Sequence, residues 1–150
     1  MTSIDDQSPS SSSHFRSRAV PWVFGFFLAL VPRPASALTV GGDIATDTTW
    51  ALSDSPVLVT SNLTVNGARL DIAPGVIVKI SPNVNLFFSN AVLNAPATAA
   101  QPIHFTSIND HSVGGATGSG SPVPGDWATV FFDNSSATLA NVHFRYGGNQ

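Results

Sequence analysis

Seven aspartates lie downstream of residue 37, and they are the residues that would matter most if the chain were an enzyme. Enzymes that cleave glycosidic bonds use paired carboxylates, so the spacing of these acids is the first test. No two of them stand two positions apart on one strand, where they would share a face. Stacked strands could still bring Asp71 near a second acid, so a carboxylate pair stays open as an alternative. We expect turn-forming roles for the seven, which are Asp43, Asp47, Asp54, Asp71, Asp110, Asp126 and Asp133.

The same aspartates and the histidines are the side chains that could bind a metal ion. Asp110 and Asp126 flank the segment Asn109 to Gly125, which is rich in Gly, Ser and Pro. Calcium takes about six to eight oxygen ligands, commonly several carboxylates, and two separated acids do not supply them unless backbone carbonyls contribute. The histidines show no His-x-x-x-His spacing and no acidic partner that would indicate zinc. The sequence therefore predicts no calcium, no other metal and no cofactor.

A small group of side chains near the end of the chain could contact a carbohydrate. His104 and His143 stand in the similar triplets IHF and VHF, so we expect them to neighbour each other on one outward face. Arg145 follows His143 by two positions and should share its face, where it could bind a sugar carboxylate or simply contact solvent. Trp127 and Tyr146 could stack on a sugar, although Trp127 is better placed to cap the preceding loop against the core. The candidate contacts are Trp127, His143, Arg145 and Tyr146.

The composition favours a β protein over a helical one. Hydrophobic residues make up 43% of the chain and charged residues 10%, and all nine acids are Asp, a weaker helix former than Glu. Twelve Gly and eleven Pro add turn-forming residues, and there is no Cys for disulfides. From residue 38 onward three cationic side chains face seven aspartates. This acidic balance, without a basic patch, argues against nucleic acid as a partner.

The candidate residues are positioned by elements that repeat, of which Leu63 to Ile80, LTVNGARLDIAPGVIVKI, is the clearest example. It predicts three short strands separated by turns at Asn66-Gly67 and Pro74-Gly75. Val76, Val78 and Ile80 should point into the core together with Leu70 and Ile72, and Lys79 should point the other way, toward solvent.

The same pattern recurs along the chain. LTVNGARLDI, LFFSNAVLNA and VFFDNSSATLA each place apolar residues, an Asn-containing turn and a second short strand. Leu63 and Leu86 are 23 residues apart, and the next interval, to Val130, is 44 because the irregular loop Asn109 to Gly125 intervenes. Leu38 to Asp54 is predicted to cap the array, with short strands at Thr39-Val40 and Thr48 to Leu52, and Ala95 to Gln101 is predicted to be a loop. A stack of short parallel strands is favoured over a jelly roll or β-sandwich, which would need longer antiparallel strands.

The first 37 residues predict export. Met1 to Ser13 is polar and rich in Ser, so we expect disorder there. Arg16 and Arg18 precede an apolar run from Val20 to Val31, which is short of the ~20 residues that span a bilayer. The run is followed by Ala35-Ser36-Ala37, a small-x-small site. This order is typical of a secretory signal peptide, here cleaved after Ala37, with an uncleaved anchor or a buried helix as the alternative.

Four segments carry a resemblance to a known family: LTVNGARLDIAPGVIVKI, QPIHFTS at Gln101 to Ser107, PGDWATVFF at Pro124 to Phe132, and VHFRYGG at Val142 to Gly148. Together they resemble secreted bacterial proteins with right-handed parallel β-helix repeats, similar to the pectin-lyase-like superfamily. The resemblance covers nearly all of residues 38–150 and implies an all-β parallel β-helix and export. Relatives tend to have a loop richer in Asp at the position of 109–125. Many members have no assigned activity, and the fold does not give the function.

We therefore expect an extracellular or cell-surface β-helix module, structural or adhesive, without its own catalytic site. The alternative is part of a carbohydrate-active enzyme of the same fold, a polysaccharide lyase or glycoside hydrolase. After Val142 to Tyr146 the sequence shows no polar cap, which predicts an open apolar cross-section and a β-helix that is incomplete at this end. Polysaccharide, other cell-surface components, a second copy docked end to end, or continuation in a longer chain are the expected partners.

Overall fold

The computed structural model describes residues 37–148, and this part of the chain is all-β. The predicted signal peptide lies outside the described residues except for Ala37. Among the described residues, no helix is long and apolar enough for a transmembrane segment. One short 3-10 helix, Leu52–Asp54, lies between the second and third strands. The strands are β1 Leu38–Ile44, β2 Thr48–Trp50, β3 Val57–Asn66, β4 Arg69–Ile72, β5 Ile77–Ile80, β6 Leu86–Ser89, β7 Val92–Pro96, β8 Ile103–Ser107, β9 Val130–Asp133, β10 Ser136–Ala140 and β11 Val142–Phe144.

These strands pair in parallel, as the sequence predicted. One sheet has the order β11-β8-β5-β3-β6-β9, with β1 also on β3, and the other has the order β10-β7-β4-β2. The ten-residue strand β3 pairs with β5 through Val57–Val59 and with β6 through Leu63–Asn66. Because β5 and β6 adjoin different stretches of one strand, the larger sheet curls.

The repeated segments are neighbours in register, which confirms their alignment. Leu63 pairs with Leu86, and Leu86 pairs with Val130. Side chains at equivalent positions of these segments are hydrogen-bonded at separations of 23 residues and 44 residues. The longer interval contains the connection from β8 to β9, which has no strand or helix among its described residues 108–129.

Glycine and asparagine make the predicted turns. Gly67 and Gly75 have φ values of 63° and 82°, which glycine adopts without a Cβ clash. Asn90 and Asn134 occupy equivalent turns after β6 and β9, with φ values of 50° and 45°. Asparagine tolerates this left-handed conformation better than most residues. The Asn134 Nδ2 amide also donates to Asn90 Oδ1 at 2.7 Å, so the two turns stack.

The core follows the predicted alternation along the strands. Val76, Val78 and Ile80 are fully buried, as are Leu70 and Ile72, and this confirms their inward facing. Val78 pairs with Val57 on one side and with Phe105 on the other. Equivalent inward positions of successive strands therefore stack into apolar columns, each layer burying the one before it.

Lys79 corrects the prediction of a solvent-exposed side chain. It does face away from the core, between Val78 and Ile80, but its exposed fraction is 0%. Segment 109–125 covers it: the Lys79 Nζ donates to the carbonyl oxygens of Asp110 and Gly115, both at 2.6 Å. The irregular loop thus lies on the outer face of β5 and excludes water from it.

Smaller differences concern strand ends. β1 continues through Gly41-Gly42, where two short segments had been predicted around the glycines, and its register shifts there. β2 ends at Trp50, and Leu52 starts the 3-10 helix. β7 extends through Ala95 and Pro96 into the predicted loop because β10 pairs with it there. The ends of these strands depend on pairing with a neighbouring strand, which the local composition does not specify.

Candidate functional site

Five ionisable residues lie close together on the outer face of β5, β8 and β11. The register places His104 between Ile77 and His143, and Lys79 beside Thr106. Arg145 follows β11 directly, and Asp110 lies in the segment after β8. We call the five ionisable residues of this face the outer-face cluster: Lys79, His104, Asp110, His143 and Arg145.

Asp110 lies at the centre of the outer-face cluster and is 1% exposed. Its Oδ2 accepts the Thr106 hydroxyl at 2.7 Å, and its Oδ1 accepts the Ser112 hydroxyl at 2.6 Å and the Ser112 amide at 3.1 Å. The Arg145 Nη1 lies 3.3 Å from Oδ2. Burial acts to raise the pKa of the Asp110 carboxyl, but the hydrogen bonds from Ser112 and Thr106 and the charge of Arg145 outweigh it and lower the pKa. The carboxylate therefore stays ionised and saturated with donors, which fits a structural anchor better than a free base.

Lys79 holds the segment that contains Asp110 against the outer face of β5. Burial lowers the pKa of its ammonium group, while the negative charge of Asp110 opposes that shift. A buried ammonium needs its donors paired, and the carbonyls of Asp110 and Gly115 accept from it. The Cβ that any other residue would bring to Gly114 would lie 3.2 Å from Lys79 Cε, so this part of the loop is packed closely on the side chain.

His104 and His143 stack, as predicted from the similar triplets. Their ring centroids are 5.0 Å apart at an interplanar angle of 26°. His143 is exposed, whereas His104 is half-buried and its Nδ1 is buried without a hydrogen-bond partner. Burial lowers the pKa of His104, and the proximity of His143 and Arg145 lowers it further, against a weaker opposing effect of Asp110.

Arg145, Tyr146 and Trp127 form the end of this surface. The Arg145 guanidinium lies 5.1 Å from the centroid of the Tyr146 ring, and its Nη2 donates to the Tyr146 hydroxyl at 3.1 Å. Trp127 is 2% exposed, and its Nε1 donates to the Arg145 carbonyl oxygen at 2.8 Å. The structure therefore places Trp127 against the core, with its ring buried, where the sequence analysis preferred it.

The four candidate carbohydrate contacts are thus neighbours, but they differ in access. His143 is exposed, and Arg145 and Tyr146 are partly exposed. The Arg145 guanidinium already contacts Asp110, Ser112 and Tyr146, so a ligand carboxylate would compete with these groups. The surface open to a ligand is made of His143, Arg145 and Tyr146, without the Trp127 ring.

The other aspartates that the structure describes have local structural roles. Asp71 pairs with Arg69 at 2.8 Å and accepts the Asn94 amide at 2.7 Å, and both contacts lower the pKa of its carboxyl. Asp54 accepts the Ala51 amide at 2.8 Å beside the 3-10 helix. Asp47 accepts the Arg69 amide at 2.8 Å. Asp47 and Asp54 lie outside the strands, whereas Asp43, Asp71 and Asp133 are strand residues, which corrects the turn-forming roles expected for them.

Asp126 joins the two ends of the irregular loop through hydrogen bonds. Its Oδ2 accepts the hydroxyl of the fully buried Ser107 and the Asn109 amide. Asn109 in turn receives the Gly120 amide on its side-chain oxygen at 3.1 Å. Within residues 37–148, no group of three or more His, Cys, Asp or Glu side chains is arranged to hold a metal ion.

A second surface feature is an apolar groove at the edge formed by β9, β10 and β11. Phe132 stacks on Phe88 with ring centroids 4.8 Å apart, and Phe144 stacks on Phe105 at 4.9 Å. Phe88 and Phe105 are buried, but Phe132 and Phe144 are 37% and 44% exposed. The groove has a volume of about 400 Å³ and is lined mainly by Trp127, Val130, Phe132, Leu139, Phe144 and Tyr146. Inward-facing residues of the last strands are therefore exposed to solvent.

Sequence reasoning missed the joint role of Lys79 and Asp110. Lys79 is the sole lysine of the chain and stands between buried residues of a strand, and Asp110 opens the irregular loop. Those two facts were visible, but the 31 residues between them hide the contact.

Comparisons with protein-family models, with curated proteins and with solved structures found no match for the chain.

Proposed function

We propose that this chain is an extracellular or cell-surface structural module, folded as a right-handed parallel β-helix, that associates end to end through the apolar groove. Export is supported by the signal-peptide pattern of residues 20–37. Two observations support the β-helix. The repeated segments pair as parallel strands in register, and the larger sheet curls around a core whose apolar side chains stack in columns. The handedness follows the strong preference of parallel crossover connections.

The observation that carries the proposal is the exposure of the last strands. β6 and β7 bury alternate residues, whereas β9 and β10, the strands that pair with them, are almost wholly exposed. β9 and β11 are the two edges of the larger sheet, and β10 is an edge of the smaller one. Unpaired strand edges beside an exposed apolar surface favour association with further strands.

A second copy of the chain is the partner proposed for this groove. Its own β9, β10 and β11 present the same apolar side chains, so two copies can cover each other in one symmetric contact. Strands that continue the sheets in a longer chain would cover the same groove and would abolish this association.

Light scattering of residues 38–150 over a range of concentrations tests the proposal. We expect the mean mass to rise with concentration and Phe144→Lys to reduce the rise, because it places a charge in the groove. Phe131→Lys is the matched control: Phe131 is 54% exposed but faces outward beside Phe87, away from the groove lining. Leu139→Lys provides a second groove variant at 43% exposure. A monomer at all concentrations, or equal effects of Phe144→Lys and Phe131→Lys, would refute association through the groove.

A further inference from the structure

We propose that the stacked pair His104 and His143 is an acid-sensitive latch that holds β11 on β8, and that protonation of His104 releases β11. The pair joins the two strands at in-register positions, with ring centroids 5.0 Å apart. Neutral imidazoles stack without penalty at this distance, whereas like charges directly opposite each other on paired strands are destabilising. The proposal concerns regulation of the strand edge and does not depend on end-to-end association.

The surroundings of His104 make its protonation costly. An imidazolium carries a proton on both ring nitrogens, whichever tautomer the neutral ring adopts. The Nδ1 of His104 is buried without a hydrogen-bond partner, so the charged ring would hold a buried and unsatisfied donor. Burial and the nearby cations already lower the pKa of His104, which is the direction this geometry requires.

The charged groups around the pair do not compensate for a proton added to His104. Lys79 lies on β5 two positions beyond Ile77, the in-register neighbour of His104. Arg145 follows His143 on the other side, and Asp110 is the single carboxylate facing this group of residues. Asp110 is already paired with Arg145 and hydrogen-bonded by Thr106 and Ser112. Protonation of His104 would therefore add a third cation, beside Lys79 and Arg145, against one carboxylate.

Release of β11 would have a defined structural consequence. Arg145 and Tyr146 follow the strand, and their carbonyl oxygens accept hydrogen bonds from the Trp127 side chain and the Trp127 amide. Gly147 also packs on the Trp127 ring. Loss of β11 would thus uncover Trp127 and remove Phe144 from Phe105, so acid would open the end of the core.

Acid weakens the latch, because proton binding to His104 is linked to the release of β11. Because the pKa of His104 is lowered in the folded chain, the unfolded or released state binds more protons once the pH falls below the usual histidine value of 6.5. The contribution of the latch is complete above that value and declines as the pH falls through the window between the released and the folded pKa. The Asp110 carboxyl, whose pKa is lowered from 3.8, titrates below this window.

Amide hydrogen exchange on the secreted form of the chain tests the latch at about pH 8 and about pH 5, after correction for intrinsic exchange rates. We expect a several-fold loss of protection in residues 103–107 and 142–146 at the lower pH, with protection of residues 63–72 unchanged. His143→Gln should diminish this loss, because the ring that stacks on His104 and opposes its charge is absent. His111→Gln, at the exposed histidine of the irregular loop, should retain the full loss.

Two results would overturn the latch. One is equal protection of residues 103–107 and 142–146 at both pH values in the unmodified chain. The other is a pH-dependent loss in His143→Gln as large as in the unmodified chain. His104→Gln gives an independent comparison with the unmodified chain. For each protein the ratio of protection at the two pH values is used, so the comparison holds even if the variant is less stable overall. If that variant does not fold, His143→Gln decides alone.

Discussion

Lys79 Nζ lies 2.6 Å from the backbone carbonyl oxygen of Asp110, so the sole lysine of the chain fastens an irregular loop to the outer face of a strand. The contact joins two residues whose other partners are also fixed. Asp110 binds Thr106, Ser112 and Arg145 through its carboxylate, and Lys79 binds Gly115. A loop of low apolar content is therefore held by hydrogen bonds and charge, without a core of its own.

The two faces of β5 can be compared by substitution with Asp. Val78→Asp would place an unpaired charge in the core and lower the free energy of unfolding by about 3–5 kcal/mol. The exposed position predicted for Lys79 implied a much smaller effect of Lys79→Asp. Its burial under the loop now implies a loss also of about 3–5 kcal/mol, because a carboxylate would face carbonyl oxygens that need donors.

Denaturant unfolding of both variants measures these losses. Thr39→Asp is the control, since Thr39 is exposed on β1 of the same sheet, and it should change the free energy of unfolding by about 0.5 kcal/mol or less. If Lys79→Asp behaved like Thr39→Asp, the loop would not cover Lys79 in solution.

The loop is the expected site of the first proteolytic cut, and Asp110 should control how fast the cut occurs. Most residues from His111 to Pro124 are exposed, which favours cleavage there over the paired strands. Asp110→Asn removes the ion pair with Arg145 and weakens the anchoring of the loop, so limited proteolysis should be several-fold faster. Asp133→Asn, at an exposed aspartate on β9, should leave the rate unchanged. Initial cleavage within Leu63 to Phe88 would contradict the strand assignment.

Acid stability should depend on Asp110 at low pH. Because the pKa of its carboxyl is lowered in the folded chain, its contribution is complete above the usual value of 3.8 and is lost as the pH falls below that value toward the folded pKa. The melting temperature should therefore fall more steeply below about pH 4 in the unmodified chain than in Asp110→Asn. Parallel melting curves for the two proteins across this range would show that Asp110 is not the group responsible.

Export is expected to remove the first 37 residues. N-terminal sequencing of secreted protein should begin at or near Leu38, because Ala35-Ser36-Ala37 supplies the small residues that signal peptidase requires. Secreted protein that still begins at Met1 would contradict cleavage and favour an uncleaved anchor.

Sequence by itself indicated most of the strands and the alignment of the three repeated segments. The alternation of Val76, Val78 and Ile80 fixed which side chains face inward, because side chains on a strand alternate between faces. The similar triplets IHF and VHF placed His104 beside His143, because repeats that stack in parallel align equivalent residues. Asn and Gly at the turns were informative for the same reason, since few other residues adopt positive φ.

Tertiary structure alone decided what covers the outer face. The burial of Lys79 and the Ser112 donors to Asp110 arise because segment 109–125 folds back over the outer face. That segment has no apolar periodicity, and its contacts with Lys79 are hydrogen bonds to backbone carbonyls, which every residue possesses. A sequence pattern records which side chains alternate along a strand, but it does not record which distant carbonyl oxygen an ammonium group will reach.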